Sequence, residues 1–345
     1  MEDSNGSIVP ESQIYRGVYR TYSHIESEVR KAEKCIYLGC YSRIWGHFIT
    51  DSIKHVWFLH SDYYEKYRDY EKVYISNAGI IDGNYKRLLE YLDVNTDEWR
   101  VVSEITRFKE IIVPEESWFY ENGHQRFTRE YIKCIDRIRG YATSRFNKRS
   151  DMVYFSYPRN NVGEKRLQHF FHAKGFEIVD PGRCHLDKQM ELLTNCSIFV
   201  STDGSCCHNA VFCRDGTKVI IIPRYAALTG YQIALNRVHD LEVVYIDSTL
   251  SIGTPRNRSV NGVYYYYISD GLKKAFNDSR EYRVGKAQFI LYLYLCLLSG
   301  SEFEHDALRY YEEEINRLFV CNDTMQVVTM VKRRALKALL KVLNW

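Results

Sequence analysis

The sequence has no apolar segment long enough to cross a membrane and no strong excess of one charge. Its longest apolar stretch, residues 287–298, is interrupted by Gln288, and a membrane-spanning helix needs about 20 residues. The chain has 47 Lys and Arg against 44 Asp and Glu, a formal net charge of +3. A dedicated nucleic-acid-binding protein usually has a clearer basic excess. Composition therefore argues against an integral membrane protein and against a nucleic-acid partner.

Signals of export are also lacking. Residues 1–10 carry acidic side chains and no apolar core of a signal peptide. The ten cysteines include no C-x-x-C pair, and without an export signal they indicate reduced thiols rather than a disulfide framework. We therefore expect a cytoplasmic protein.

Several common catalytic and nucleotide-binding motifs do not occur. G-x-G-x-x-G, G-x-x-x-x-G-K-[ST] and G-x-S-x-G are absent, so the usual dinucleotide cradle, P-loop and nucleophile elbow are not predicted. No two aspartates form D-x-D, the pair that commonly holds a divalent ion in metal-dependent sugar transferases. His169 and His172 share a predicted helix face, but the sequence places no third ligand beside them. We expect no metal site.

The sequence does contain a regular alternation of strand-like and helix-like segments. In the first half, strands are predicted at 35–39, 72–76 and 110–114, and helices at 47–60, 84–92 and 131–145. In the second half, strands are predicted at 152–156, 176–179, 197–201, 218–222 and 241–246, and helices at 164–174, 186–195 and from 207. This spacing predicts an α/β protein with parallel sheets.

We expect two Rossmann-like, doubly wound lobes with a helical C-terminal extension. The predicted domains are an N-terminal lobe at 1–150, a C-terminal lobe at 151–280 and the extension at 281–345. The extension ends in a basic amphipathic segment, 327–345, which has five cations and no acidic residue. This segment is predicted either to pack on a lobe or to bind an anionic membrane surface peripherally.

The first candidate site is the segment Trp45-Gly-His-Phe-Ile-Thr-Asp51. His47 lies at a predicted helix start after a strand, and Asp51 follows four residues later. A carboxylate beside an imidazole fixes its tautomer and supports its charged form, as a general base near neutral pH requires. Either residue can be the base, and a plain capping role is the structural alternative. Trp45 and Arg43 are expected in the surrounding cleft.

The second candidate site is the segment Val200–Phe212. A strand there ends in small residues and turns into a predicted helix with no bulky side chain near its first amides. An open helix N-terminus of this kind binds anions such as a diphosphate. The alternative is a tight turn whose small residues are needed for packing, with the adjacent Cys206 and Cys207 buried.

The order of these segments resembles glycosyltransferase family 61 over Ala32–Arg224, about half the chain. The resemblance is carried by Tyr37–Gly39, Gly46–Phe48 with Asp51, Ile112–Pro114, Ser156, Arg159, Glu164, Gly175–Phe176, Leu186 with Gln189, Asp203–Ser205, His208, Asn209 and Phe212. The form Gly-Ser-x-x-His-Asn is more similar to the bacterial branch, whose members act in surface-polysaccharide synthesis.

The resemblance implies a glycosyltransferase fold of the B type (GT-B), inversion at the anomeric carbon and a nucleotide-sugar donor without an obligatory metal. It implies no cofactor, and we expect a UDP-linked donor. By resemblance, the donor-binding residues are Arg159, Asp203, Gly204, Ser205, His208 and Asn209. The acceptor would be a glycan or lipid-linked glycan of a capsule or O-antigen. The alternative hypothesis is a nucleotide- or polysaccharide-binding module without turnover.

Overall fold

The computed structural model describes Asn5, Ser7, Val9 and residues 30–76, 78–146, 151–157, 161–224, 228–255, 263–284, 286–298, 301–303, 308, 311–319 and 327–334. The strands are β1 Arg30–Tyr41, β2 Glu71–Ser76, β3 Arg100–Val101, β4 Thr106–Ile112, β5 Trp118–Glu121, β6 His124–Phe127, β7 Met152–Phe155, β8 Asn161–Val162, β9 Glu177–Val179, β10 Ile198–Thr202, β11 Lys218–Ile222, β12 Glu242–Tyr245, β13 Thr249–Leu250, β14 Gly253–Pro255, β15 Tyr264–Tyr266 and β16 Ser301–Phe303.

The α-helical segments are α1 Trp45–His47, α2 Gly83–Tyr91, α3 Arg129–Arg145, α4 Glu164–His172, α5 Leu186–Leu193, α6 Gly230–Leu235, α7 Asp270–Ala275, α8 Lys286–Leu298 and α9 Glu312–Phe319. Residues 327–334 are also helical. A π-helical turn occupies Phe48–Ser52, and 3-10 helices occupy Val56–His60, Asp62–Tyr67 and Cys207–Phe212.

Two separate parallel sheets form the framework. The first has the order β3-β2-β1-β4, and the second has the order β12-β11-β10-β7-β9. The prediction of an α/β protein with parallel, Rossmann-like sheets is confirmed. In each sheet the chain begins at an inner strand, β1 or β7, adds strands on one side of it and then adds strands on the other side. The order of strand addition therefore changes between β1 and β4 in the first sheet and between β7 and β10 in the second. Ligands of open α/β sheets bind at the carboxyl ends of strands at such points.

One hydrophobic cluster contains residues of both sheets, among them Tyr41 of β1 and Tyr74 of β2 from the first and Phe155 of β7 and Phe199 of β10 from the second. Polar contacts join the halves as well. The Arg87 guanidinium on α2 pairs with Asp187 on α5 at 2.7 Å. The predicted domain boundaries and the GT-B arrangement remain predictions, and residues 147–150 at the predicted boundary between the lobes lie outside the described residues.

The segment predicted as one helix over 47–60 is different in detail. It is divided into an α-helical turn, a π-helical turn and a 3-10 helix. The backbone is irregular because this segment is buried on several sides, including its polar residues Thr50, Asp51 and Lys54. Thr50 Oγ1 also donates to the carbonyl of Gly46 at 3.0 Å. Single π-helical turns are frequent at functional sites.

The predicted α-helix from 207 is also different, because it is a 3-10 helix of only 6 residues. All of its side chains are buried, so tight packing rather than helix propensity decides its geometry. The antiparallel hairpin β5–β6 was not predicted. Its alternation of aromatic and polar residues is interrupted by Asn122 and Gly123, which both have positive φ.

The C-terminal part packs on its own cluster of apolar residues. Val327, Val328 and Val331 are buried there together with residues of α8 such as Phe289 and Leu293. The apolar face of 327–334 is therefore covered by protein, as the alternative in which this segment packs on a lobe requires. In the ranges that the structure describes, no helix combines the length and apolar character needed to cross a bilayer.

Candidate active site

The two candidate segments of the sequence meet in space. Trp45 Nε1 donates a hydrogen bond to Asn209 Oδ1 at 2.8 Å. A Cβ atom added to Gly46 would lie 2.7 Å from Cδ2 of His208 and 3.1 Å from Oγ of Ser205. Residue 46 is glycine because the second segment packs directly against its backbone. The two segments predicted for catalysis and for donor binding thus lie against each other between the carboxyl ends of β1 and β10.

His47 and Asp51 form a hydrogen-bonded pair. His47 Nδ1 lies 2.8 Å from Asp51 Oδ2, and the side chains are 28% and 10% exposed. The carboxylate also accepts from Thr50 Oγ1 at 3.0 Å and from the Tyr231 hydroxyl at 3.3 Å. Asp51 is therefore buried and held by three groups, whereas the imidazole of His47 reaches the surface.

Tyr231, at the start of α6, connects the two segments. Its ring meets the His47 ring edge-on, with centroids 5.5 Å apart, and lies nearly parallel to the His208 ring at 6.4 Å. Its other neighbour is Trp118 of β5, stacked at 6.1 Å. Sequence reasoning missed Tyr231, because it lies 180 residues from its partner Asp51 in the chain. No spacing signal connects them.

His208 is buried, and its Nδ1 lies 2.8 Å from Oε1 of Gln232. Burial lowers the pKa of His208, and the nearby His47 lowers it further, although the hydrogen bond to Gln232 opposes both. A buried neutral imidazole orients its neighbours rather than taking a proton from a substrate. His208 therefore differs from His47, which keeps an exposed edge.

Arg224 is the residue with the most unusual surroundings in the site. It lies two residues after the end of β11 and is only 9% exposed. Its guanidinium carbon stands 4.9 Å from the ring centroid of Tyr157 and 5.8 Å from that of Tyr264. A Cβ on Gly204, whose φ is +123°, would lie 3.0 Å from both terminal guanidinium nitrogens. Sequence reasoning missed Arg224, since a lone arginine after a strand is no motif.

Several buried polar atoms around Arg224 lack hydrogen-bond partners. They are Nε of Arg224, Oε2 of Glu164, Oγ1 of Thr202 and the hydroxyl of Tyr266. Burial raises the pKa of Glu164, and it raises that of Tyr266 to about 12, against the effect of the Arg224 charge. Buried polar atoms are nearly always paired in native proteins. A cluster of unpaired ones calls for a ligand or ordered water.

The other residues singled out from the sequence lie in different places. Asp203 accepts a hydrogen bond from Thr229 Oγ1 at 3.1 Å and lies in the site. Arg43 is half-exposed and pairs with Asp82 at 2.6 Å, so it contributes to the rim and not to the pair at His47. Arg159 lies outside the described residues. His169 and His172 end α4 at the surface, and the described ranges contain no group of three residues that could hold a metal.

Comparison with known families agrees with this geometry. A family model described as Glycosyltransferase 61 matches residues 45–220, just over half of the chain. The match begins at Trp45 and includes both segments that form the site, although it ends before Arg224. No curated protein matches the sequence. The chain belongs to glycosyltransferase family 61.

Proposed function

We propose that the protein is an inverting glycosyltransferase that moves a sugar from a nucleotide-sugar donor to a hydroxyl of a glycan. The observation that carries this proposal is the His47–Asp51 pair, 2.8 Å apart and packed through Gly46 against the segment after β10. Two parallel sheets that meet at this point support a GT-B arrangement, with a UDP-linked donor on the side of the second sheet.

In this mechanism His47 is the general base. With Nδ1–H donated to Asp51, Nε2 is the nitrogen that accepts the proton of the acceptor hydroxyl. The acceptor oxygen bonds to the anomeric carbon on one face while the bond to the donor phosphate breaks on the other. The electron pair of that bond leaves with the diphosphate. Asp51 stabilises the imidazolium that forms.

The opposite assignment, with Asp51 as the base, has less support. Asp51 as a whole is 7% exposed, and its carboxylate accepts hydrogen bonds from three groups. A base must approach the proton that it takes within hydrogen-bond reach, and the exposed edge belongs to His47. We therefore assign Asp51 the role of holding the imidazole.

The test is transfer by His47→Ala, which should lower kcat about 10²–10⁴-fold, the range for loss of a general base. Donor affinity, measured by calorimetry, should change little. His169→Ala is the matched control, because His169 is an exposed histidine outside the site, and it should behave as wild type. Near-normal turnover in His47→Ala with an inactive Asp51→Asn would reverse the two roles. Nucleotide binding by a wild type that transfers no sugar would favour the binding-module alternative.

We further propose a role in bacterial surface-polysaccharide synthesis from the cytoplasmic side, with a lipid-linked acceptor. The support is the Gly-Ser-x-x-His-Asn form of residues 204–209 together with the basic C-terminal segment. Lys332, Arg333 and Arg334 are exposed beside the buried valines of the same helix. Each cation near an anionic surface contributes on the order of 1 kcal/mol.

This membrane proposal is tested with two truncations and vesicles containing anionic phospholipid. Removal of residues 335–345 should weaken sedimentation with the vesicles while leaving the circular dichroism spectrum intact. Removal of residues 327–345 should also destabilise the fold, because it deletes three buried valines. A full-length chain that ignores such vesicles at low salt would end the membrane proposal.

A further inference from the structure

Three neighbouring strands of the second sheet direct polar residues toward one point. Tyr157 follows β7, Asp203 and Gly204 follow β10, and Arg224 follows β11. These strands are adjacent, and β7 and β10 are the neighbours between which the order of strand addition changes. The point is therefore where an open α/β sheet binds a ligand. It lies beside the His47–Asp51 pair, because Gly204 and Ser205 belong to the same turn.

The positive charge of Arg224 has little local compensation. In the described part of the chain, no carboxylate forms an ion pair with it, although Asp203 and Glu164 act on it from a greater distance. Its Nε has no hydrogen-bond partner. The rings of Tyr157 and Tyr264 attract the guanidinium through their faces. A buried cation in this condition favours an anion as its ligand.

Gly204 lets the guanidinium of Arg224 approach the backbone closely. A Cβ atom added there would lie 3.0 Å from both terminal nitrogens of the guanidinium and 3.1 Å from its central carbon. The positive φ of Gly204 keeps the turn in a conformation that other residues rarely adopt. Gly204 therefore fixes the position of the guanidinium at the ends of these strands.

We propose that Arg224, with Gly204 opposite it, binds the diphosphate of the nucleotide-sugar donor. This inference rests on the proposed function and replaces the helix N-terminus expected from the sequence. The helix after Gly204 is a 3-10 helix of 6 residues, too short to present an aligned dipole. The anion is bound by a buried guanidinium instead.

The role of Arg224 in the transfer is electrostatic. When the bond between the anomeric carbon and the phosphate oxygen breaks, the electron pair remains on that oxygen. Arg224 keeps its protons and stabilises the developing charge with two parallel N–H···O hydrogen bonds. The acceptor proton goes to His47, so no proton has to reach the leaving diphosphate.

The test measures binding of three probes, UDP, uridine and inorganic pyrophosphate, to the full chain by calorimetry. Arg224→Gln should weaken binding of UDP and pyrophosphate about 10–100-fold, the effect of losing a charge-assisted hydrogen bond. It should leave uridine binding unchanged, because uridine carries no phosphate. Arg224→Lys should restore part of the loss, since lysine keeps the charge without the planar fork.

Arg139→Gln is the matched control. Arg139 is also largely buried, at 16% side-chain exposure, but it is paired with Asp215 at 2.9 Å outside the site. Its removal should leave the affinity for UDP and pyrophosphate unchanged. Gly204→Ala gives a second test if Arg224→Gln does not fold, because the added carbon would displace the guanidinium, whose terminal nitrogens lie 3.0 Å from its position. It should lower the affinity for pyrophosphate and not for uridine.

The outcomes separate this inference from the proposed function. A wild type that transfers sugar while Arg224→Gln and Gly204→Ala bind pyrophosphate normally would overturn the inference alone. Pyrophosphate binding that depends on Arg224 in a protein without transferase activity would support the anion site and contradict the proposed function. A wild type that binds neither UDP nor pyrophosphate would overturn the diphosphate site.

Discussion

The His47–Asp51 pair and the surroundings of Arg224 lie side by side but differ in how their polar atoms are satisfied. Asp51 accepts hydrogen bonds from three groups, and its partner imidazole reaches the surface. Around Arg224, by contrast, four buried polar atoms have no partner. A carboxylate that is already satisfied can hold a base in place. A buried cation with an unpaired nitrogen lacks a hydrogen bond that a ligand can supply.

This contrast assigns different parts of the reaction to the two regions. Groups that are already held in place need little rearrangement when charge develops. The hydrogen-bonded His47–Asp51 pair is therefore suited to proton transfer. Unpaired buried groups carry a desolvation penalty of about 1–3 kcal/mol each, which a ligand with matching oxygens would remove. We therefore expect substitutions in the first region to change turnover and substitutions in the second to change donor affinity.

The largest predicted effect comes from Gly46→Ala, because Gly46 is the contact between the two regions. The added Cβ would lie 2.7 Å from His208 Cδ2, and the His208 ring is held by Gln232 and Tyr231. Overpacking of this kind costs about 1–3 kcal/mol. Transfer should fall at least about 100-fold, since a displacement of about 1 Å is sufficient for such a loss.

Denaturant unfolding and transfer assays measure the effect of Gly46→Ala. Gly140→Ala is its control, because Gly140 lies within α3 and an added Cβ meets nothing within 4 Å. That variant should be as active as wild type and more stable by about 0.5–1 kcal/mol. Equal activity in both variants would show that the two regions do not need their close contact.

A smaller loss is expected from Tyr231→Phe, which tests the first region alone. The change removes the hydroxyl that donates to Asp51 at 3.3 Å and keeps the ring between His47 and His208. We expect kcat to fall about 10-fold, at the lower end for a hydrogen bond to a charged group, with unchanged donor affinity. Tyr245→Phe, which loses a bond from Asn236 outside the site, should have normal kcat. A weakened donor affinity in Tyr231→Phe would contradict the division of roles.

Not every buried polar atom without a partner indicates a ligand site. His55 has such an atom outside the surroundings of Arg224. Its Nε2 has no partner, and the residue is fully buried in the turn before the 3-10 helix Val56–His60, where burial lowers the pKa of His55 to about 3. The unfolded chain binds a proton at His55 near pH 6.5, whereas the folded protein stays neutral there. Stability should therefore decline as the pH falls from about 6.5 toward 3.

Denaturation midpoints measured across this pH range test the prediction. His55→Asn, which retains a side-chain N–H group for the Pro114 carbonyl but does not titrate, should have a flatter profile. His169→Ala at the surface should keep the wild-type slope. The affinity for pyrophosphate should not change in His55→Asn, because His55 contacts Gly39 and the Pro114 carbonyl rather than the surroundings of Arg224.

Much of the fold could be predicted from the sequence, because its buried strands are short apolar runs with clear ends. Strand β11 was predicted at its observed limits, and the helices around Leu88 and Leu167 within a few residues. The hairpin β5–β6 was not predicted, although Asn122-Gly123 is a two-residue turn signal, because the second strand, His124–Phe127, is mostly polar and does not form an apolar run. The division of 45–60 into three kinds of helix depends on burial from several sides, which only the packed structure contains.

The candidate site was predicted in part. His47 and Asp51 have helical spacing, so their contact could be expected from sequence alone, and the structure brings Ser205, His208 and Asn209 beside them. Tyr231 and Arg224 could not be found in this way. Their roles arise from contacts with residues distant in the chain, and neither belongs to a motif.

The smallest predicted effect is that of chelation. A diphosphate leaving group needs positive charge, which a divalent ion supplies in many enzymes. The sequence has no D-x-D pair, whereas Arg224 offers a buried positive charge at the proposed diphosphate site. Incubation with EDTA followed by desalting should therefore leave kcat nearly unchanged.

The same treatment of Arg224→Gln, with and without added Mn²⁺, is a second test. If a metal shares this role, Mn²⁺ would restore transfer in the variant. If Arg224 alone supplies the charge, Mn²⁺ would not restore transfer. Strict dependence of the wild type on Mn²⁺ would contradict the assignment of this charge to Arg224.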